Sequence, residues 1–171
     1  VSPYYLNITL FQGWNLVSVP VTPEPGSDTM DILSMVDTAG HSIFSWNSSS
    51  GSWTRLARTD KISPLSAFFV YSPDMVQVPV RISGQGPLYN LSRELDAGWN
   101  LVSFADVMMV SADEAFRSIE GLWSYIIGYD AEKQRYAVPV TNGADSRDAL
   151  LDPRQGYWIF MNGTARMVGK Q

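Results

Sequence analysis

Cysteine is absent from all 171 residues, which excludes disulfides and thiolate metal sites. There is a single histidine, His41, so a catalytic triad, a His-based zinc centre or a His–carboxylate pair lacks most of its parts. His41 reads as an ordinary loop residue. No Gly-x-Ser-x-Gly, phosphate-cradling glycine loop or His-Glu-x-x-His string occurs. The expectation is a protein that is not an enzyme and has no cofactor. Charge is scarce too, at 17% of residues against about 25% in an average soluble domain. Residues 1–86 carry four Lys and Arg against six Asp and Glu, and residues 87–171 carry eight against eleven. Neither half is basic, which disfavours nucleic acid as a partner. No apolar run approaches the roughly 20 residues of a membrane span, so no membrane insertion is expected. No signal-peptide pattern is found, and the expectation is a mature segment of a longer chain.

What the chain does contain is apolar and aromatic residues, 45% and 12% of the total, enough for a folded core. It also contains a repeat. Gly13-Trp14-Asn15-Leu16-Val17-Ser18 returns letter for letter as Gly98-Trp99-Asn100-Leu101-Val102-Ser103. Six identical residues including a Trp mark a tandem duplication, with copies at 1–86 and 87–171. The motif predicts a strand over 14–19 and again over 99–104, apolar on both faces and therefore central in its sheet. The segments 4–10 and 88–95 precede it, each followed by a glycine turn. They predict a hairpin with the motif strand.

Three prolines at 20, 23 and 25 make the next segment a loop. Ser111…Glu114 is a capping box and Asp28…Asp31 its acidic analogue, predicting short amphipathic helices over 28–37 and 111–120. An aromatic hairpin follows in each copy, around Trp46 and Trp53 in one and Tyr129 and Tyr136 in the other. Copy two then carries six extra residues within 137–151. The apolar strands over 64–71 and 153–160 and the closing strands over 75–82 and 165–168 complete a β-β-α-β-β-β-β unit. The predicted class is α+β, predominantly antiparallel β, with one short helix per copy. The two copies pack closely and could form one pseudo-symmetric domain, with strand exchange between them open.

The side chains at equivalent positions are the expected core: Trp14, Trp99, Leu16, Leu101, Phe69 and Trp158. Trp123 is the exception, because its counterpart is Gly40. With its neighbour Tyr125 it is the candidate for ligand stacking at the surface. Four Asn-x-Ser/Thr sequons, at Asn7, Asn47, Asn90 and Asn162, are candidate N-glycosylation sites; Ser-rich composition and turn-forming Asn explain them equally well. Asp145, Asp148 and Asp152 could offer oxygen ligands to calcium, but without EF-hand spacing and with Arg147 interleaved. A solvated acidic loop is expected there, and no metal.

Gly-Trp-Asn-Leu-Val-Ser followed by Pro20, the aromatic hairpin and Gly156-Tyr157-Trp158-Ile159 together resemble a repeat of archaeal cell-surface and surface-layer-associated proteins, with looser bacterial exoprotein relatives. Ala105 replaces the proline in copy two, and Ala67-Phe68-Phe69 replaces Gly-Tyr-Trp in copy one. The resemblance implies an extracellular, cell-surface setting and a structural or adhesive module of the envelope. Its partners would then be other modules of the same surface protein or envelope components. The alternative is a carbohydrate-binding module that uses exposed aromatics.

Overall fold

The computed structural model describes residues 4–63, 65–87 and 91–169. The first copy contains β1 (Tyr4–Leu10), β2 (Gly13–Val17), β3 (Val21–Pro23), β4 (Ile43–Asn47), β5 (Ser52–Leu56), β6 (Phe68–Ser72) and β7 (Val76–Pro87). The second contains β8 (Ser92–Leu95), β9 (Gly98–Val102), β10 (Val110–Ser111), helix α1 (Ala112–Ala115), β11 (Trp123–Asp130) and β12 (Arg135–Tyr136), then β13 (Val140–Thr141), β14 (Leu150–Leu151), β15 (Tyr157–Met161) and β16 (Ala165–Val168). The fold is β-rich and its topology is duplicated. β1 pairs with β7, and a four-stranded sheet runs β2-β6-β4-β5. In the second copy β8 pairs with β16, and the corresponding order is β9-β15-β11-β12.

Two expectations are corrected here. The strand before each motif does not form a hairpin with it: β1 pairs with β7, and β2 pairs with β6. The reason lies in the turn. Gly13 and Gly98 have φ of 103° and 90°, a region that favours glycine. Asn15 then folds its carboxamide back, accepting from Phe11 N at 2.8 Å and donating to the carbonyls of Phe11 and Gly13. Asn100 repeats this on Asp96 and Gly98. The turn therefore carries the chain from one sheet layer to the next. The second correction is that β2 and β9 lie at the edge of their sheets; Asn15, Val17, Asn100 and Val102 are buried on one face, whereas on the other Leu16 and Leu101 are buried, Trp14 is half-buried and Trp99 is exposed.

The helical segments are shorter than predicted. Met30–Leu33 is one 3₁₀ turn capped by Thr29, and α1 is a single turn capped by Ser111 and followed by a 3₁₀ turn at Arg117–Ile119. One turn suffices to bury Met30 with Leu33, and Phe116 with Ile119, at i and i+3. Strand exchange does not occur among the described residues, because the first strand of each copy pairs with the last strand of the same copy.

Each copy has its own core. Ile8, Leu10, Val17, Val70 and Val78 belong to the first, and Leu95, Val102, Phe116, Trp123 and Ile159 to the second. A third cluster lies between the copies: Leu16, Ala67, Phe69 and Leu101, packed by Trp14, Trp46, Tyr129 and Trp158. Backbone bonds across this seam are reciprocal. Ser18 N donates to Arg154 O and Ser103 N to Leu65 O, both at 3.0 Å. The bridge between Val17 and Gln155 has its mate between Ser66 and Val102. Such mutual contacts are those of a two-fold interface, here formed within one chain.

Ala67 and Gly156 are equivalent positions that face each other at this seam. A Cβ on Gly156 would lie 2.4 Å from Ala67 Cβ and 2.8 Å from Leu16 Cγ. Gly156→Ala is therefore expected to destabilise the protein by about 1–3 kcal/mol, the usual cost of overpacking. Ala67→Gly in the same chain should recover part of that loss. Urea unfolding of the single and double variants checks both expectations.

Candidate functional site

The outer half of the seam is open and aromatic. Two grooves occupy it, of about 360 Å³ and about 460 Å³. The first is lined by Trp14, Phe44, Trp53, Phe69, Tyr129 and Tyr136. The second is lined by Trp99, Ile127, Tyr136, Trp158, Trp46 and Trp53, with Ala137 and Pro139. Those first six residues of each are, in the order given, equivalent positions of the two copies. Trp53 and Tyr136 belong to both grooves and exchange places between them. The pair of grooves is therefore a product of the duplication.

Strand register explains why these side chains converge. On β4 and β5 the pairs Phe44–Arg55 and Trp46–Trp53 alternate with Ser45–Thr54, so the first four side chains share one face. On β11 and β12, Tyr129 opposes Tyr136. The rings meet edge to face, as quadrupoles prefer. Trp53 is 5.3 Å from Trp46, 5.8 Å from Phe69 and 5.8 Å from Trp158, with interplanar angles of 71–81°. Trp46 donates its indole N–H to Trp99 O at 3.2 Å.

Polar groups fix the rim. Gln134, in the turn between β11 and β12, accepts from Trp14 N and donates to Trp14 O, both at 2.8 Å, so it pins the first motif across the seam. The carboxamide lies over Gly13, where a Cβ would be 2.3 Å from Gln134 Oε1, while the φ of 103° is what requires glycine there. Tyr129 donates its hydroxyl to the same oxygen at 3.3 Å, and burial, followed by the nearby Tyr136 phenol, pushes the Tyr129 phenol up. His41 stacks 4.2 Å from Tyr71 and 5.3 Å from Trp14, covering part of the Trp14 ring.

On the other side of the seam the turn Ser48–Ser49 clasps Asp96. Both hydroxyls donate to Asp96 Oδ2, at 2.6 and 3.0 Å. Those two hydrogen bonds hold its carboxyl below the usual carboxylate range, against a smaller opposing effect of burial. Arg93 lies nearby and donates to the carbonyls of Leu65 and Leu101; burial pushes its guanidinium down, and Asp96 opposes that shift. Because the folded state lowers the Asp96 pKa, its contribution to stability is complete above the ordinary carboxylate pKa and is lost as pH falls through the folded value. Asp96→Asn is thus expected to melt lower than the unsubstituted protein near neutral pH, with the difference closing below about pH 4. Melting curves across that range test it.

Trp123 is not a surface residue. It is 3% exposed and packs in edge contact with Phe116 in the second core, filling the helix-to-strand junction that Gly40 leaves small in the first copy. Tyr125 is 46% exposed, in register with Phe160 on the groove-bearing side, but it lines neither groove. Of the expected core set, Leu16, Leu101 and Phe69 are buried, whereas Trp14 and Trp158 are half-buried and Trp99 is 38% exposed. Trp53 and Tyr136 are exposed by 50% and 51%. Equivalence of position thus marked a shared role correctly, but for these rings that role is a groove wall at the seam and not a sealed core.

Asn7, Asn47 and Asn162 are all exposed, on β1, at the end of β4 and in the bend after β15; Asn90 lies outside the described residues. Asp152 is engaged by Arg154 at 2.9 Å and Asp145 by the Thr141 amide at 3.3 Å. Among the described residues no three His, Cys, Asp or Glu side chains gather as a metal site. No described helix is long and apolar enough to cross a membrane. No known family model, curated protein or solved structure matches this chain.

Proposed function

We propose that the chain is a glycan-binding module and that the paired aromatic grooves are its ligand site. The observation that carries this is the exposure of Trp53, Tyr136 and Trp99 in concave surfaces that both copies maintain. Rings needed only for packing gain nothing from facing water, and an exposed apolar concavity marks a binding surface. Pyranose rings present flat C–H faces to indole and phenol rings, and Arg55, opposite Phe44 on the same sheet face, is a polar neighbour for their hydroxyls. Nucleobases stack on aromatics as well, but their phosphates need a basic track, and both halves of this chain are acidic. The resemblance to archaeal surface-layer-associated repeats supports an extracellular setting, in which the module would attach its parent protein to an envelope polysaccharide.

Titration with cellohexaose, chitohexaose and xylohexaose, followed by tryptophan fluorescence, tests the proposal. A saturable change with at least one of them, weakened in Trp53→Ala, is expected. No response to any of the three overturns it, as does preferential binding of a proline-rich peptide, the other ligand that aromatic grooves accept.

A further inference from the structure

We infer that the two grooves form one site that takes a linear glycan in both chain directions. This rests on the reading of the grooves as a glycan site. A polysaccharide has a reducing and a non-reducing end; a two-fold pair of grooves has no direction. Trp53 stands where the grooves meet, its ring in edge contact with Phe69 on one side and Trp158 on the other. From there the first groove leads through Phe44 to Trp14, in steps of 6.3 and 6.2 Å between ring centres. The second leads through Trp158 to Trp99, in steps of 5.8 and 6.5 Å. A chain entering at Trp14 or at Trp99 therefore meets an indole first, the shared Trp53 and Tyr136 in the middle and an indole last.

Equatorially linked pyranosides suit this arrangement, because successive rings turn alternate C–H faces outward and offer stacking surfaces to both walls. The copies differ at Phe44 against Ile127, Phe69 against Trp158, Trp53 against Tyr136 and Tyr129 against Trp46, which permits a preference between directions. Two of these exchange one apolar side chain for another and two exchange an indole for a phenol, each still a stacking ring, so that preference is expected to stay within about tenfold, or 1.4 kcal/mol.

The experiment uses the same three hexasaccharides carrying a nitroxide at the reducing end, added below one equivalent, with the indole N–H signals of Trp14 and Trp99 resolved by NMR. Paramagnetic broadening of both indoles, and one ligand per chain by calorimetry, is expected. Binding with broadening confined to one indole overturns the inference and leaves the glycan reading standing, as does a stoichiometry of two ligands per chain. If none of the three binds, both fall together.

Discussion

Trp123→Ala is expected to cost about 3–5 kcal/mol of stability, the range for emptying a large aromatic from a closed core. The ring is almost wholly buried and packs beside Phe116 among Leu95, Ile126 and Met161. Nothing in the first copy prepares for this, since the equivalent position is Gly40, at φ 80° in a loop. Chemical denaturation of the variant provides the measurement. Tyr125→Ala, two residues along and largely exposed, should move stability by no more than about 0.5 kcal/mol. A Trp123 variant that unfolds like the unsubstituted protein would mean the second core closes without this ring.

Trp53→Ala should do the opposite, removing glycan affinity while leaving the fold intact. Half of the Trp53 side chain faces solvent, so its truncation opens no closed cavity. Its ring nevertheless lines both grooves and touches Phe44, Trp46, Phe69 and Trp158. A central aromatic of this kind is the usual energetic focus of a binding surface, and its loss should cost at least about 2 kcal/mol, roughly thirtyfold in affinity. The readout is the fluorescence titration, with circular dichroism confirming that the melting transition is kept. Full affinity in this variant would exclude the grooves as the ligand site.

The duplication, the β-rich class and the main strand positions were legible because they depend on local signals: a repeated string, two-residue alternation and turn residues; β3, in the segment whose prolines read as a loop, and the short β10, β13 and β14 were not. Pairing was less legible. A glycine turn between two apolar strands reads as a hairpin, yet Asn15 and Asn100 use the same residues to step between layers. The site was hidden for a related reason. A ring that is equivalent in both copies signals a shared role but not its exposure, and exposure depends on how far the copies close over one another. That distance is set by Ala67, Gly156 and Leu16 at the seam, far in sequence from Trp53. Gln134 gave no sequence signal at all, because its partners, the backbone N–H and C=O of Trp14, exist at every residue.

The motif itself now divides by letter. Glycine and asparagine make the turn, tryptophan walls a groove, leucine fills the seam, valine fills the copy's own core and serine crosses to the other copy. The seam adds one restriction that acts on evolution and assembly alike. The pseudo-two-fold axis has room for one methyl group, that of Ala67, and none opposite it. Two first halves docked on each other would bring two methyl carbons to about that same forbidden separation, and two second halves would leave a gap. At this point of the seam each half is thereby matched sterically to the unlike one.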